Sequence, residues 1–245
     1  MMSANIPNNR IPNPDKSAKK ENLWVNLAFN IAIPAIILSK FSNDDYLGIT
    51  FGLVVALAFP FLYGVMDFFQ RDKINIFSVL GVISTLLTGS ISLLKLGPEY
   101  IAIKEAAIPG LIGITIFIST WTRFPLVGKL IMNEAIFNLK KLNQAISDHQ
   151  AEEQLNKVLR NCSFLVSLSF AFSSMMNYLL AVWVVVSDPG TVAYNEELGK
   201  MTALSYPVIA LPSMIIMGAA LFYLVRHIQK ITGKGIEEFL LIEQK

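Results

Sequence analysis

The run Ile101-Ala-Ile-Lys104-Glu105-Ala-Ala-Ile-Pro109-Gly110-Leu-Ile-Gly-Ile-Thr-Ile-Phe-Ile-Ser-Thr-Trp121 decides how this chain is read. Its first twenty residues hold one adjacent pair of charges, and at about 1.5 Å per residue a helix of that length covers about 30 Å, the thickness of bilayer hydrocarbon. Trp121 then closes the run at interfacial depth. Working outward, five further apolar stretches have comparable length: residues 23–39, 47–69, 74–94, 163–187 and 202–225. The expected fold is therefore all-α, a polytopic transmembrane helical bundle with six spans. Prolines 34, 60, 109, 207 and 212 fall inside spans, where neighbouring helices can satisfy the backbone groups that proline frees.

Composition agrees. Of 245 residues 53% are hydrophobic and 16% charged, with a mean hydropathy of +0.52. Soluble domains carry roughly a quarter of their residues as charges. A single cysteine, Cys162, excludes a disulfide framework and a cysteine-based zinc site, and two histidines, His149 and His227, leave little for metal chemistry. No cofactor is expected. Residues 1–21, rich in Asn, Pro and Lys, read as a disordered tail, residues 22–225 as the membrane domain with a long loop at 122–161, and residues 226–245 as a second tail. The first apolar stretch has no cleavage site of the secretory kind and is read as a retained span.

The distribution of basic residues sets the orientation. With six spans, sixteen Lys and Arg fall on the side holding both termini, the second loop and the fourth loop, against three (Lys40, Lys95, Lys200) on the other. By the positive-inside rule both termini are cytoplasmic. The fourth loop carries apolar residues at helical spacing, Ile136, Leu139, Leu142 and Ile146, with Lys140, Lys141, Asn143 and Gln144 on the other side. Such a helix either lies in the interface with its lysines toward anionic head groups or stands in water as a hairpin. The interfacial arrangement is favoured, because the loop itself supplies no second apolar layer.

Lys104 and Glu105 are the first functional candidates, since an ionisable residue inside a span is a transport or proton-relay candidate by default. The competing reading is an ion cluster near the outer boundary, with Lys104 snorkelling outward and each residue seeking partners on a neighbouring helix or among Asp44, Asp45, Asp188, Glu196 and Glu197. Adjacent helical positions diverge by about 100°, which disfavours a pair between the two. The second candidate is an echo: Asn30-Ile-Ala-Ile-Pro34 and Glu105-Ala-Ala-Ile-Pro109 align with proline on proline, three spans apart and hence in opposite directions. Inverted-repeat transporters have that pattern, and ordinary kinked helices are the simpler explanation. Small residues recur every fourth position at Gly81, Thr85 and Gly89, at Ala102, Ala106 and Gly110, and at Ser163, Ser167 and Ala171, which predicts close helix contacts. Gly97-Pro98 predicts a tight antiparallel turn between the third and fourth spans.

No metalloprotease, serine-hydrolase, P-loop or dinucleotide motif is present, so no enzyme is expected. Basic residues flank spans as topology requires, giving no support for nucleic-acid binding. The stretch Tyr100-Ile101, Lys104, Ala106 to Gly113, Trp121, Pro125-Leu126 and Lys129 resembles the intracellular septation protein A family of bacterial inner-membrane proteins and its uncharacterised relatives. The preceding hairpin, Phe69 to Leu94, fits the same pattern, so that about a third of the chain is covered. That resemblance implies a multi-pass protein of the bacterial inner membrane in cell-envelope maintenance or division-related scaffolding, with no catalytic residues to transfer. The longer tail, longer fourth loop and sixth span depart from the better-known members. The expected partners are the anionic lipid surface and other membrane proteins or a second copy of the chain. A small-solute or ion transporter with an inverted three-helix repeat is the alternative.

Overall fold

The computed structural model describes residues 23–70, 76–122, 126–131 and 138–240. Among them there is no strand. Helix α1 (Leu23–Leu27) runs through a π-helical turn, Ala28–Ala32, into α2 (Ile33–Lys40). Then come α3 (Gly48–Gln70), α4 (Ile76–Leu93), α5 (Pro98–Ser119), α6 (Leu126–Ile131), α7 (Leu139–Asp148) and the 33-residue α8 (Glu152–Val184). Helix α9 (Val192–Ser205) passes through a second π-helical turn, Tyr206–Ala210, into α10 (Leu211–Thr232). Among the described residues, four stretches are long and apolar enough to cross a membrane: Gly48–Met66, Pro98–Ser119, Glu152–Val184 and Val192–Thr232. Two apolar helices, Trp24–Lys40 and Val79–Leu93, are shorter.

Local chemistry accounts for the joints. Pro98 occupies the first turn of α5, where its missing N–H has no partner to lose. The turn before it closes around Lys95, held at φ 54°, so that the Leu96 N–H donates to the Ile91 carbonyl at 3.0 Å. This is the left-handed ending common at helix C-termini, here without glycine. The expected α4–α5 hairpin results. At the end of α10, Gly233 takes the same role at φ 67°.

The helices form two limbs, α1–α4 and α5–α10. At the end bearing the short loops 41–47, 94–97 and 185–191, a buried cluster that includes Leu38, Leu53, Ile101, Leu180 and Leu198 joins them. Toward the other end, α10 packs on α8 and α8 on α5, and among the described residues neither α8 nor α10 packs closely on α1–α4. The expected small-residue contacts are made along α5 and α8. A Cβ at Gly113 would lie 3.0 Å from Phe170 Cβ and 3.4 Å from the Ser167 carbonyl, and one at Gly110 would lie 3.0 Å from Ser174 Oγ. On α4 the stripe is only partly used: Gly89 meets Leu57, whereas among the described residues no atom lies within 4 Å of a Cβ at Gly81.

The long-loop end departs from expectation in three ways. The fifth helix begins at Glu152 rather than near Ser163, overhanging the apolar stretch by three turns. Its overhang, which includes Val158 and Leu159 of the 122–161 loop itself, and that of α10 supply the second apolar layer that the sequence reading does not find in the loop. Leu142, Ala145 and Ile146 of α7 are buried with Val158, Leu159 and Ile228, while Lys140 and Lys141 stay exposed. The apolar face of this loop helix is thus spent on protein contacts. Thirdly, residues 226–240 are no free tail: Phe239 is 1% exposed within this cluster, and its carbonyl accepts the Asn138 N–H at 2.7 Å. Deleting them would open the core.

Candidate functional site

A buried polar cluster stands between α4 and α5. Lys104 is 8% exposed, and its ammonium donates to Thr88 Oγ1 at 2.7 Å, Ser84 Oγ at 3.2 Å and Glu105 Oε1 at 2.6 Å. Ser84 and Thr88 are one helical turn apart on α4, so one ammonium fits between their hydroxyls. Two expectations are corrected here. Lys104 and Glu105 do pair: although their Cβ vectors diverge, the four-carbon lysine stem is long enough to turn the ammonium back along the helix surface. Nor does Lys104 snorkel outward. Its acceptors lie nine and five residues inside the Leu93 end of α4, about 13 Å and 8 Å along the axis. The outer acidic residues are not its partners.

The remaining candidates lie elsewhere. Asn30 sits in the first π turn, where its amide donates to the Asn26 carbonyl at 3.1 Å and approaches Asn26 Oδ1 at 3.3 Å. Pro34 begins α2 and is buried. Pro109 lies within uninterrupted α-helix, so the two aligned segments differ in backbone geometry. They are not brought together either, since the segment Ala28–Lys40 packs on α3 and α9 and not on α5. Near Pro109, Ser174 of α8 donates to the Ala106 carbonyl at 2.8 Å, tying this turn of α5 to the neighbouring helix. Trp121 is 68% exposed and stacks edge-on against Phe117, with ring centroids 4.5 Å apart. Pro125 lies outside the described residues, and Lys129 falls within α6.

No family model, curated protein or solved structure matches the chain. A groove of about 450 Å³ runs between α5 and α8 and is lined by Gly110, Gly113, Ser167 and Ser174, with Phe117 and Phe164. Its hydroxyls are engaged with backbone carbonyls, Ser167 Oγ with Phe164 at 2.7 Å and Ser174 Oγ with Ala106, so the surface it offers is apolar. Among the described residues no three His, Cys, Asp or Glu side chains converge as a metal site would require.

Sequence reasoning overlooked a second polar set at the short-loop end. Tyr194 is fully buried, its hydroxyl 3.0 Å from Ser92 Oγ of α4. Asn195, 1% exposed, donates to the Ile49 carbonyl of α3 at 2.8 Å. Glu197 accepts the Val186 and Ser187 N–H groups, each at 2.8 Å, and the Ser187 hydroxyl at 2.7 Å, closing the 185–191 loop. These residues pin α9 to α3, α4 and the end of α8. Their polar run, Tyr194-Asn-Glu-Glu197, read as solvated loop; the available signal was an aromatic residue beside an amide at helical phase with Leu198 and Met201.

Proposed function

We propose that the chain is a six-crossing protein of the bacterial inner membrane, with cytoplasmic termini, that acts as a non-enzymatic scaffold in envelope maintenance or division. The observation that carries this reading is the state of Lys104. An ammonium has three N–H donors, and Glu105, Ser84 and Thr88 accept them. A carrier of solutes or protons needs its intramembrane charge to exchange partners; a charge saturated by its own hairpin locks α4 to α5 instead. Support for six crossings comes from the sixteen-to-three split of basic residues and from the placement of Trp24–Lys40 and Val79–Leu93 beside α3, whose length suits a full crossing. The resemblance of the Tyr100 to Lys129 stretch to the septation protein A family supports the cellular role. Exposed Lys140 and Lys141 face anionic head groups, and the α5–α8 groove receives a helix of another membrane protein.

The second reading, a solute or ion carrier, draws on the same buried pair. Substitution separates the two. Lys104→Met alone leaves an uncompensated carboxylate and should cost about 3 kcal/mol or more, whereas Lys104→Met with Glu105→Gln should recover most of that loss. Under the scaffold reading the double variant restores cell shape to a deletion strain as well as the natural chain does. A double variant that folds, fails to complement and abolishes labelled-solute flux into proteoliposomes overturns the scaffold in favour of a carrier.

A further inference from the structure

The two π-helical turns stand in matching sequence. Ile31-Ala32-Ile33-Pro34-Ala35-Ile36-Ile37 and Ile209-Ala210-Leu211-Pro212-Ser213-Met214-Ile215 share Ile-Ala, a γ- or β-branched aliphatic, proline, a small residue and a later Ile. Each π turn ends two residues before a proline, Ala28–Ala32 before Pro34 and Tyr206–Ala210 before Pro212, and the second also contains Pro207, which has no counterpart in the first. Each is closed by a bond of the wider kind, from the Ile33 N–H to the Ala28 carbonyl and from the Leu211 N–H to the Tyr206 carbonyl. Proline alone does not produce this, because Pro60 and Pro109 lie in unbroken α-helix. The turns also lie within about one helical turn of each other along the two helices. Helices α2 and α9 run antiparallel through a close approach in which a Cβ at Gly199 would lie 2.8 Å from the Ala35 carbonyl oxygen. Counting away from that point, the first π turn lies opposite Thr202 to Tyr206, where the second begins. Beyond this level the partners separate: the first π turn leans on α3, while α10 packs on α8. One residue past Pro212, the Ser213 hydroxyl is buried without a hydrogen-bond partner, a cost that a second arrangement of this helix can remove.

We infer that the two π turns are a matched pair of hinges, about which the long-loop halves of the two limbs open and close while the α2–α9 contact stays fixed. A π turn has poorer hydrogen-bond geometry than the α-helix around it and is a recognised site of bending. Placing one in each of two antiparallel helices, at the level where they part, lets both bend with the Gly199 contact as pivot. The inference holds whether the chain is a scaffold or a carrier, because it concerns motion alone. It is tested on the full chain in lipid nanodiscs, with Cys162→Ser and spin labels on Val25→Cys and Phe222→Cys, one position in each limb. A broad or two-peaked distance distribution is expected, collapsing to one narrow peak with Pro34→Ala plus Pro212→Ala and unchanged with Pro60→Ala. A single narrow peak in the unaltered chain, or equal narrowing by Pro60→Ala, overturns the inference. Should the double proline variant not fold, hydrogen exchange on the natural chain decides: amides at 28–33 and in the second π turn should exchange about tenfold faster than the turns flanking them, and equal protection refutes the hinge.

Discussion

Replacing Gly199 by alanine tests the close approach of α2 and α9. The added methyl would lie 2.8 Å from the Ala35 carbonyl oxygen, 3.1 Å from Leu38 Cβ and 3.2 Å from the Ser39 N. The nearest of these is backbone of α2, so the clash is relieved only by moving a whole helix. Overpacking of this kind costs about 2 kcal/mol, and the change from glycine to alanine in a helix returns about 1 kcal/mol. A net loss of about 1 kcal/mol lowers the unfolding midpoint by roughly 2–4 °C in a chain of this size. Gly218 of α10 supplies the control, because nothing lies within 4 Å of its Cβ position. Gly218→Ala should keep the helix gain without the clash, so the two variants should differ by about 2 kcal/mol, or roughly 4–8 °C. Thermal loss of helicity in detergent, followed by circular dichroism, gives both midpoints. If Gly199→Ala is as stable as Gly218→Ala, α2 and α9 are not in backbone contact and the argument built on that pivot fails with it.

The long-loop end offers a second test. Phe239→Ala empties a buried aromatic site and should cost about 3–5 kcal/mol in that cluster, read as faster limited proteolysis at the α7–α8 turn around His149; unchanged proteolysis would show that Phe239 seals nothing. Orientation is open to thiol labelling in a Cys162→Ser background: Glu196→Cys should react with an impermeant reagent from outside the cell, and Lys20→Cys or Lys141→Cys only after permeabilisation. The reverse pattern would invert the topology.

Hydropathy and length made the long helices legible, because an apolar run in lipid has few alternatives to a helix. Spacing by four made the α5–α8 contact legible too, since Gly110 and Ser167 of the two stripes lie in it, while Gly113 and Ser174, which also meet the facing helix there, fall outside those stripes. Other features were hidden for identifiable reasons. Periodicity cannot register a π turn, which adds one residue without altering composition, so the π turns before Pro34 and Pro212 left no trace. The Lys104–Glu105 pair was misjudged because Cβ directions were weighed and the reach of the lysine stem was not. The α7 packing went unseen because Val158 and Leu159, though at helical spacing, read as a continuation of the loop helix and not as a layer beneath it, while Ile228 lies far off in sequence in what reads as a tail. Tyr194 and Asn195 failed for the opposite reason, as polar residues taken for loop whose hydrogen bonds are made across three helices.

Helix α8 is one unbroken rod of 33 residues, about 50 Å from end to end. Some two thirds of it suits a bilayer, and the remainder carries the platform on which α7 and Phe239 rest. A lever of this kind has no joint at the water line. Whatever tilts its buried arm, whether a thinner bilayer or sideways pressure from a neighbour, must swing the protruding arm through the same angle and deliver that displacement to the basic surface it supports.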